Sequence, residues 1–142
     1  MKYELKPVRD QVIVITGATS GIGLATARQA ARRGASVVLN ARAGEDLAIV
    51  TSEIAADGGQ VAFVAGDVAD LAVVRALADA AVAEFGRIDT WVNNAGVSIY
   101  GKLVDVPMED KKRLFDTNFW GVVNGCRTAL RHFERRGGTI IN

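Results

Sequence analysis

Short apolar runs rich in β-branched residues alternate along the chain with longer stretches whose apolar positions recur every three or four residues. The runs are VIVIT (12–16), SVVLN (36–40), VAFVA (61–65), TWVNN (90–94) and TIIN (139–142). Most are apolar on both faces rather than alternating, as in strands of a parallel sheet covered on both sides. The intervening stretches predict helices. Residues 21–33 form an Ala-rich helix ended by two arginines and stopped by Gly34. Residues 45–56 put Leu47, Val50 and Ile54 on one stripe. Asp70 is a good N-cap for the stripe Leu71, Val74, Leu77, Ala81 and Phe85, which Gly86 closes. Pro107 opens the longest helix, with Phe115, Phe119, Val122, Cys126, Leu130 and Phe133 as its buried stripe.

Repeated strand–helix–strand units with right-handed crossovers predict an α/β fold, a doubly wound parallel sheet of Rossmann-like, three-layer α/β/α form. The reading is of one domain over residues 1–142 whose fifth strand, GGTIIN, is just beginning where the sequence stops, so the C-terminal part of the fold is expected to be missing. Its last strand then lies at an open edge, with apolar surface left uncovered. Sheets of this kind bind ligands beyond the carboxyl ends of their strands, where the strand order reverses. The polar residues of interest all fall in the loops after the first four strands.

Composition narrows the function classes. Seventeen basic residues against sixteen acidic ones give a net charge of +1, with no block of like charge to attract nucleic acid or a membrane surface. The mixed RHFERRGG cluster reads as a solvated helix end. The lone Cys126 reads as a small buried hydrophobe in a reduced protein. The first ten residues lack an apolar signal-peptide core, and no apolar run approaches the ~18 residues of a membrane span. A soluble, cytoplasmic protein is expected. His132, without a second histidine or clustered cysteines, is read as a helix-end imidazole rather than a metal ligand.

The loop after the first strand reads TGATSGIG (16–23). No Gly-Lys-Ser/Thr follows, which excludes a P-loop. The need it meets is that of a dinucleotide site. Gly17 permits a sharp turn, Gly21 lets a pyrophosphate approach the backbone, and Gly23 lets the helix pack close to the sheet. The helix N-terminus offers free amides to the phosphates.

With this loop the sequence resembles the short-chain dehydrogenase/reductase family, whose cofactor loop reads T-G-x-x-x-G-x-G. The resemblance runs from about Val12 onward and includes GDV at 66–68, NNAG at 93–96 and the asparagine of TNFWGV, Asn118. It implies cofactor contacts from Gly17, Thr19, Ser20, Gly21, Ile22 and Gly23 in the first loop. It further implies that Asp67 and Val68 meet the adenine ring, and that Asn94, Ala95 and Gly96 steady the central strand and touch the adenosine ribose. NAD-preferring chains carry an acidic residue at the end of the second strand, ~20 residues past the glycine loop. Here Asn40 and Ala41 fill that region, and Arg42 stands where NADP-preferring members place a cation. A guanidinium there binds a 2′-phosphate that a carboxylate repels, so NADP(H) is the expected cofactor, ahead of NAD(H).

Asn118 lies between Phe115 and Phe119 and is expected to be a buried amide with a specific partner, because an unpaired one costs ~1–3 kcal/mol. A bond to a neighbouring backbone group would satisfy it structurally. In the family it is one of four catalytic residues, Asn-Ser-Tyr-Lys, and helps hold a water; the tyrosine moves a proton as hydride passes to or from nicotinamide. The serine and the Tyr-x-x-x-Lys pair are absent, since neither Tyr3 nor Tyr100 has a lysine four residues on. Tyr100 either lines the substrate side of the crevice or packs. Trp91 reads as core, and Trp120 as packed or at a subunit contact. The helix bearing Asn118 often pairs with its copy in relatives, so a homo-oligomer through it is a possible assembly. The resemblance thus implies an NADP-dependent oxidoreductase acting on a small carbonyl/alcohol pair; the rival readings are a non-catalytic NADP(H)-binding module and an inactive fragment.

Overall fold

The computed structural model describes residues 6–134 and 137–142, so Tyr3 and the Arg135–Arg136 part of the basic cluster lie outside it. A short 3₁₀ turn (Val8–Asp10) leads into β1 (Val12–Thr16), α1 (Gly21–Arg32), β2 (Ser36–Ala41), α2 (Gly44–Ala56), β3 (Gln60–Ala65), α3 (Leu71–Phe85) and β4 (Thr90–Val92). Then follow α4 (Met108–Phe115), a π turn (Asp116–Trp120), α5 (Gly121–Phe133) and β5 (Thr139–Ile141). The five strands form one parallel sheet in the order β3-β2-β1-β4-β5. Strand order reverses at β1, which pairs with β2 on one side and β4 on the other.

Each face of the sheet carries its own core. Val12, Val14, Val38 and Trp91 face α3 and α5, where they meet Val74, Leu77, Ala129 and Phe133. Ile13, Ile15, Val37 and Leu39 face α1 and α2, against Ala27, Ala31, Leu47, Val50 and Ile54. The double-sided burial expected of the strands therefore holds for β1 and β2, all of whose central positions are buried. It fails for β3, whose residues are half-buried or exposed because β3 is an edge strand. Helix α3 starts and stops as its sequence dictates: the Asp70 carboxylate accepts the Ala72 amide at 2.8 Å, and Gly86 takes a left-handed φ of 77°. β5 is the other edge, and Ile141 is exposed. No helix among the described residues is long and apolar enough to cross a membrane.

The long helix departs most from expectation. Its buried side is Thr117, Gly121, Gly125, Thr128, Ala129 and Phe133, whereas Phe115, Phe119, Trp120 and Leu130 are exposed, Phe115 by 61 %. Cys126 and Val122 are half-buried rather than buried. Two causes combine. The π turn widens the helix by a residue, so a stripe read at 3.6 residues per turn drifts out of phase beyond Phe115. The contact with β4 and with the loop after β3 is also made by glycines: a Cβ on Gly121 would sit 2.6 Å from a Val68 methyl, and one on Gly125 would sit 2.7 Å from the Trp91 indole nitrogen. Close approach selects small residues, which hydrophobic periodicity does not mark.

Candidate dinucleotide site

Beyond the carboxyl ends of the strands lies a crevice of about 790 Å³, opening at the point where strand order reverses. Thr16, the last residue of β1, organises its floor. Its hydroxyl donates to the Val92 carbonyl at 3.3 Å and accepts the amides of Asn94 and Ala95, each at 3.0 Å. Asn94 returns the link, its side-chain amide donating to the Thr16 and Gly17 carbonyls at 2.9 and 3.0 Å. Thr16 and Asn94 thereby fix the loops after β1 and β4 to each other. Asn93 turns the other way, accepting from the Trp91 indole at 2.9 Å and donating to Asn142 at 2.7 Å.

The glycine loop has the shape its sequence predicts. Gly17 leaves β1 at φ 66°, and a Cβ there would come within 2.9 Å of the Ala95 Cα. Gly23 is buried in the first turn of α1; a Cβ on it would overlap the Gly17 carbonyl oxygen and the Asn94 amide nitrogen. Gly21 (φ 53°) has open space where its Cβ would be. Ser20 precedes the helix in an extended conformation without a side-chain cap, and the Leu24 amide bonds to the Ser20 carbonyl at 3.1 Å. The amides ahead of Leu24 belong to the orphan donors of a helix N-terminus and point at the crevice end of α1, an anion-binding arrangement.

The remaining walls come from three further loops. Thr19, Ser20, Gly21 and Ile22 line one side, with Arg42 beyond the end of β2. Asp67 and Val68 line a second, and Asn94, Ala95 and Gly96 a third. The structure thus brings the sequence-predicted cofactor residues to one crevice, except that Gly23 lies beneath the loop as packing. The lining also includes residues not predicted to bind a cofactor, among them Asn40, Asp46, Val97 and Thr117. Asn40 is 1 % exposed, and its amide donates to the Val64 and Gly66 carbonyls at 3.0 and 3.1 Å, tying β2 to the loop after β3. A lone amide closing an apolar strand was the available signal. Asp46, in the first turn of α2, brings a carboxylate to the side that holds Arg42.

Two residues differ from their sequence reading. Asn118 is exposed rather than buried, and it lies beside the crevice rather than in its lining. Its amide is nonetheless satisfied by backbone: the Val97 amide donates to Oδ1 at 2.8 Å, and Nδ2 donates to the Val97 carbonyl at 2.7 Å. The π turn that carries it is a form of helix often found at functional sites. Tyr100, 93 % exposed, neither packs nor lines the crevice. Trp120 is exposed and stacks edge-on against Phe119, ring centroids 5.1 Å apart.

Comparison with known proteins gives this geometry a family. The short chain dehydrogenase family model matches residues 11–142. An uncharacterized oxidoreductase of Bacillus subtilis, YxnA, is 52 % identical over 99 % of this chain and 40 % of its own length. Among solved structures, a short-chain dehydrogenase/reductase from Burkholderia phymatum in complex with NAD superposes with a TM-score of 0.91 at 35 % identity, covering 96 % of this chain and 49 % of that one. An alcohol dehydrogenase from the archaeon Thermococcus sibiricus complexed with 5-hydroxy-NADP superposes with a TM-score of 0.86 at 31 % identity, covering 92 % and 56 %. The chain therefore spans about half the length of these proteins. With the family model matched along nearly all its length and the glycine loop, Asn94 and Asp67 gathered at one crevice, the chain belongs to the short-chain dehydrogenase family.

Proposed function

We propose that residues 1–142 act as one NAD(P)-binding unit of a cytoplasmic oxidoreductase that transfers hydride reversibly between NADP(H) and a carbonyl/alcohol pair. The observation that carries this reading is the bare glycine turn beneath the N-terminus of α1, facing a crevice with Arg42 at its rim. The α1 amides take the diphosphate, Asp67 and Val68 take the adenine, and the Arg42 guanidinium takes the ribose 2′-phosphate. Asp46 opposes Arg42 on that wall, so the preference for NADP(H) over NAD(H) is expected to be moderate, about tenfold, the scale of one charge-assisted bond set against one repulsion. Fluorescence titration with NADPH and NADH tests it. Wild type should bind NADPH more tightly, and Arg42→Ala should erase the difference by weakening NADPH alone. Tighter binding of NADH by the wild type refutes the assignment.

The nicotinamide cofactor supplies or accepts the hydride when bound; this chain's residues hold and orient it. Asn118, whose family role is catalytic, here holds Val97 at the crevice edge through both halves of its amide. A second reading, in which the chain binds NADP(H) without turnover, rests on the lack of a Tyr-x-x-x-Lys pair within residues 1–142. It is the outcome if NADPH binds but is not oxidised by a panel of ketones and aldehydes. The exposed Phe115, Phe119, Trp120 and Leu130 support assembly of copies through the helix that bears Asn118.

A further inference from the structure

Helix α4 carries Glu109 and Asp110 in its first turn and Lys112 and Arg113 in its last. One of those charges is not simply solvated. The Arg113 guanidinium reaches across to the loop after β3 and pairs with Asp67 Oδ2 at 2.6 Å. The other carboxylate oxygen, Oδ1, accepts the Ala69 amide at 3.0 Å. Asp67 is therefore held at both oxygens, from its own loop and from a helix more than forty positions along the chain. A carboxylate offers about four acceptor sites, so two remain for a ligand donor in the crevice it lines.

The backbone of the same loop is fixed independently. Asn124 Nδ2 donates to the Val68 and Ala69 carbonyls at 3.1 and 3.2 Å, and Gly121 packs against Val68. Gly66 leaves β3 at φ 149°, its amide bonded to the Ala41 carbonyl at 2.9 Å. Losing Arg113 would thus free the Asp67 carboxylate while leaving the loop in place. The ion pair is partly exposed, 43 % at the arginine side chain and 26 % at the aspartate, and pairs of that kind add little to folding stability. Its consequence is orientation.

We propose that Arg113 is a positioning residue for the adenine end of the crevice: by gripping Asp67 Oδ2 from α4, it aims the free lone pairs of that carboxylate at the exocyclic amino group of the adenine. The inference rests on the proposed binding of a nicotinamide adenine dinucleotide, and it adds a residue that touches no part of that ligand.

The test compares NADPH with its purine analogue, in which hydrogen replaces the adenine amino group and leaves Asp67 no N–H to accept from. Both are titrated by fluorescence against the wild type, Arg113→Gln and Arg113→Lys, with circular dichroism and thermal melts confirming that the variants fold. Arg113→Gln is expected to weaken NADPH about tenfold, the loss of one aimed charge-assisted bond, while changing the analogue less than about twofold. Arg113→Lys, which keeps the charge but not the planar fork, should restore part of the NADPH affinity. Equal losses for both cofactors, or no loss for NADPH, overturn the positioning role and leave the dinucleotide reading standing. Failure of the wild type to bind either cofactor overturns the dinucleotide reading, and this inference with it.

Discussion

At the amino ends of the strands Asp89 takes Lys6 Nζ at 2.5 Å, Arg87 Nε at 2.8 Å and the Val12 amide at 2.9 Å, whereas at the carboxyl ends Asp67 is half-open to a crevice. Both are carboxylates at the rim of one sheet, and each pairs with an arginine. Asp89 is nearly enclosed, 13 % exposed, and its backbone carries the ladder onward: its amide donates to the Val12 carbonyl at 2.9 Å, and its carbonyl accepts the Thr139 amide at 3.0 Å. It ties β1, β4 and β5 together, and three donors already occupy its carboxylate. The carboxyl end keeps free acceptors on Asp67, orphan amides on α1 and the opposite charges of Arg42 and Asp46 in the crevice lining. The difference separates a closed polar hub, which stabilises, from an open one, which binds.

The comparison breaks hardest at Gly23. A methyl group there meets the Gly17 carbonyl oxygen and the Asn94 amide nitrogen, neither of which can yield without unfolding the turn. Gly23→Ala is expected to lower stability by about 3 kcal/mol, the upper range for overpacking, and to abolish detectable NADPH binding. Urea denaturation and fluorescence titration read the two effects; a variant that melts and binds like wild type would remove the close approach from the account.

A smaller effect is expected at the floor of the crevice. Thr16→Val keeps the shape but strips the acceptor from the Asn94 and Ala95 amides, which should cost about 2 kcal/mol in urea and weaken NADPH several-fold. The smallest effect belongs to the closed end, and it carries no binding defect. Burial pushes the Asp89 carboxyl up, but hydrogen bonds from Lys6, Arg87 and the Val12 amide outweigh it and hold the group below the usual carboxylate value. A depressed folded pKa stabilises fully above the unfolded value of about 3.9 and loses that contribution as pH falls through the folded one. Asp89→Asn should therefore cost about 1 kcal/mol at pH 7 and close much of its gap to wild type below about pH 4, with NADPH affinity unchanged throughout. Equal acid sensitivity of both proteins would show that Asp89 is not the titrating partner.

The strands, α3 with its caps, and the glycine loop were legible because each is set by neighbours in sequence. A buried strand needs a run of β-branched residues, and a turn with φ 66° at Gly17 needs glycine. Most of the residues predicted for a cofactor site line one crevice, since strand ends in a doubly wound sheet bring their loops together. The packing of the long helix was not legible. Its contact with β4 and the Val68 loop runs through Gly121 and Gly125, and the π turn at Asp116–Trp120 shifts the phase that periodicity assumes. Asn118 was read as buried because it sat between two phenylalanines that proved to be exposed themselves.

What the sequence determined by itself was local: which segments pair as strands, where helices start, and that a bare backbone turn opens onto a helix N-terminus. Only the tertiary structure decided which charges meet. Arg113 and Asp67, Lys6 and Asp89, and Asn118 and Val97 are tens of residues apart, and nothing in their own neighbourhoods marks them as partners. Side-chain pairs at such separation exist only once the parallel crossovers have fixed the helices against the sheet, because a charged or amide group can specify a partner over the few ångströms of a hydrogen bond and no further.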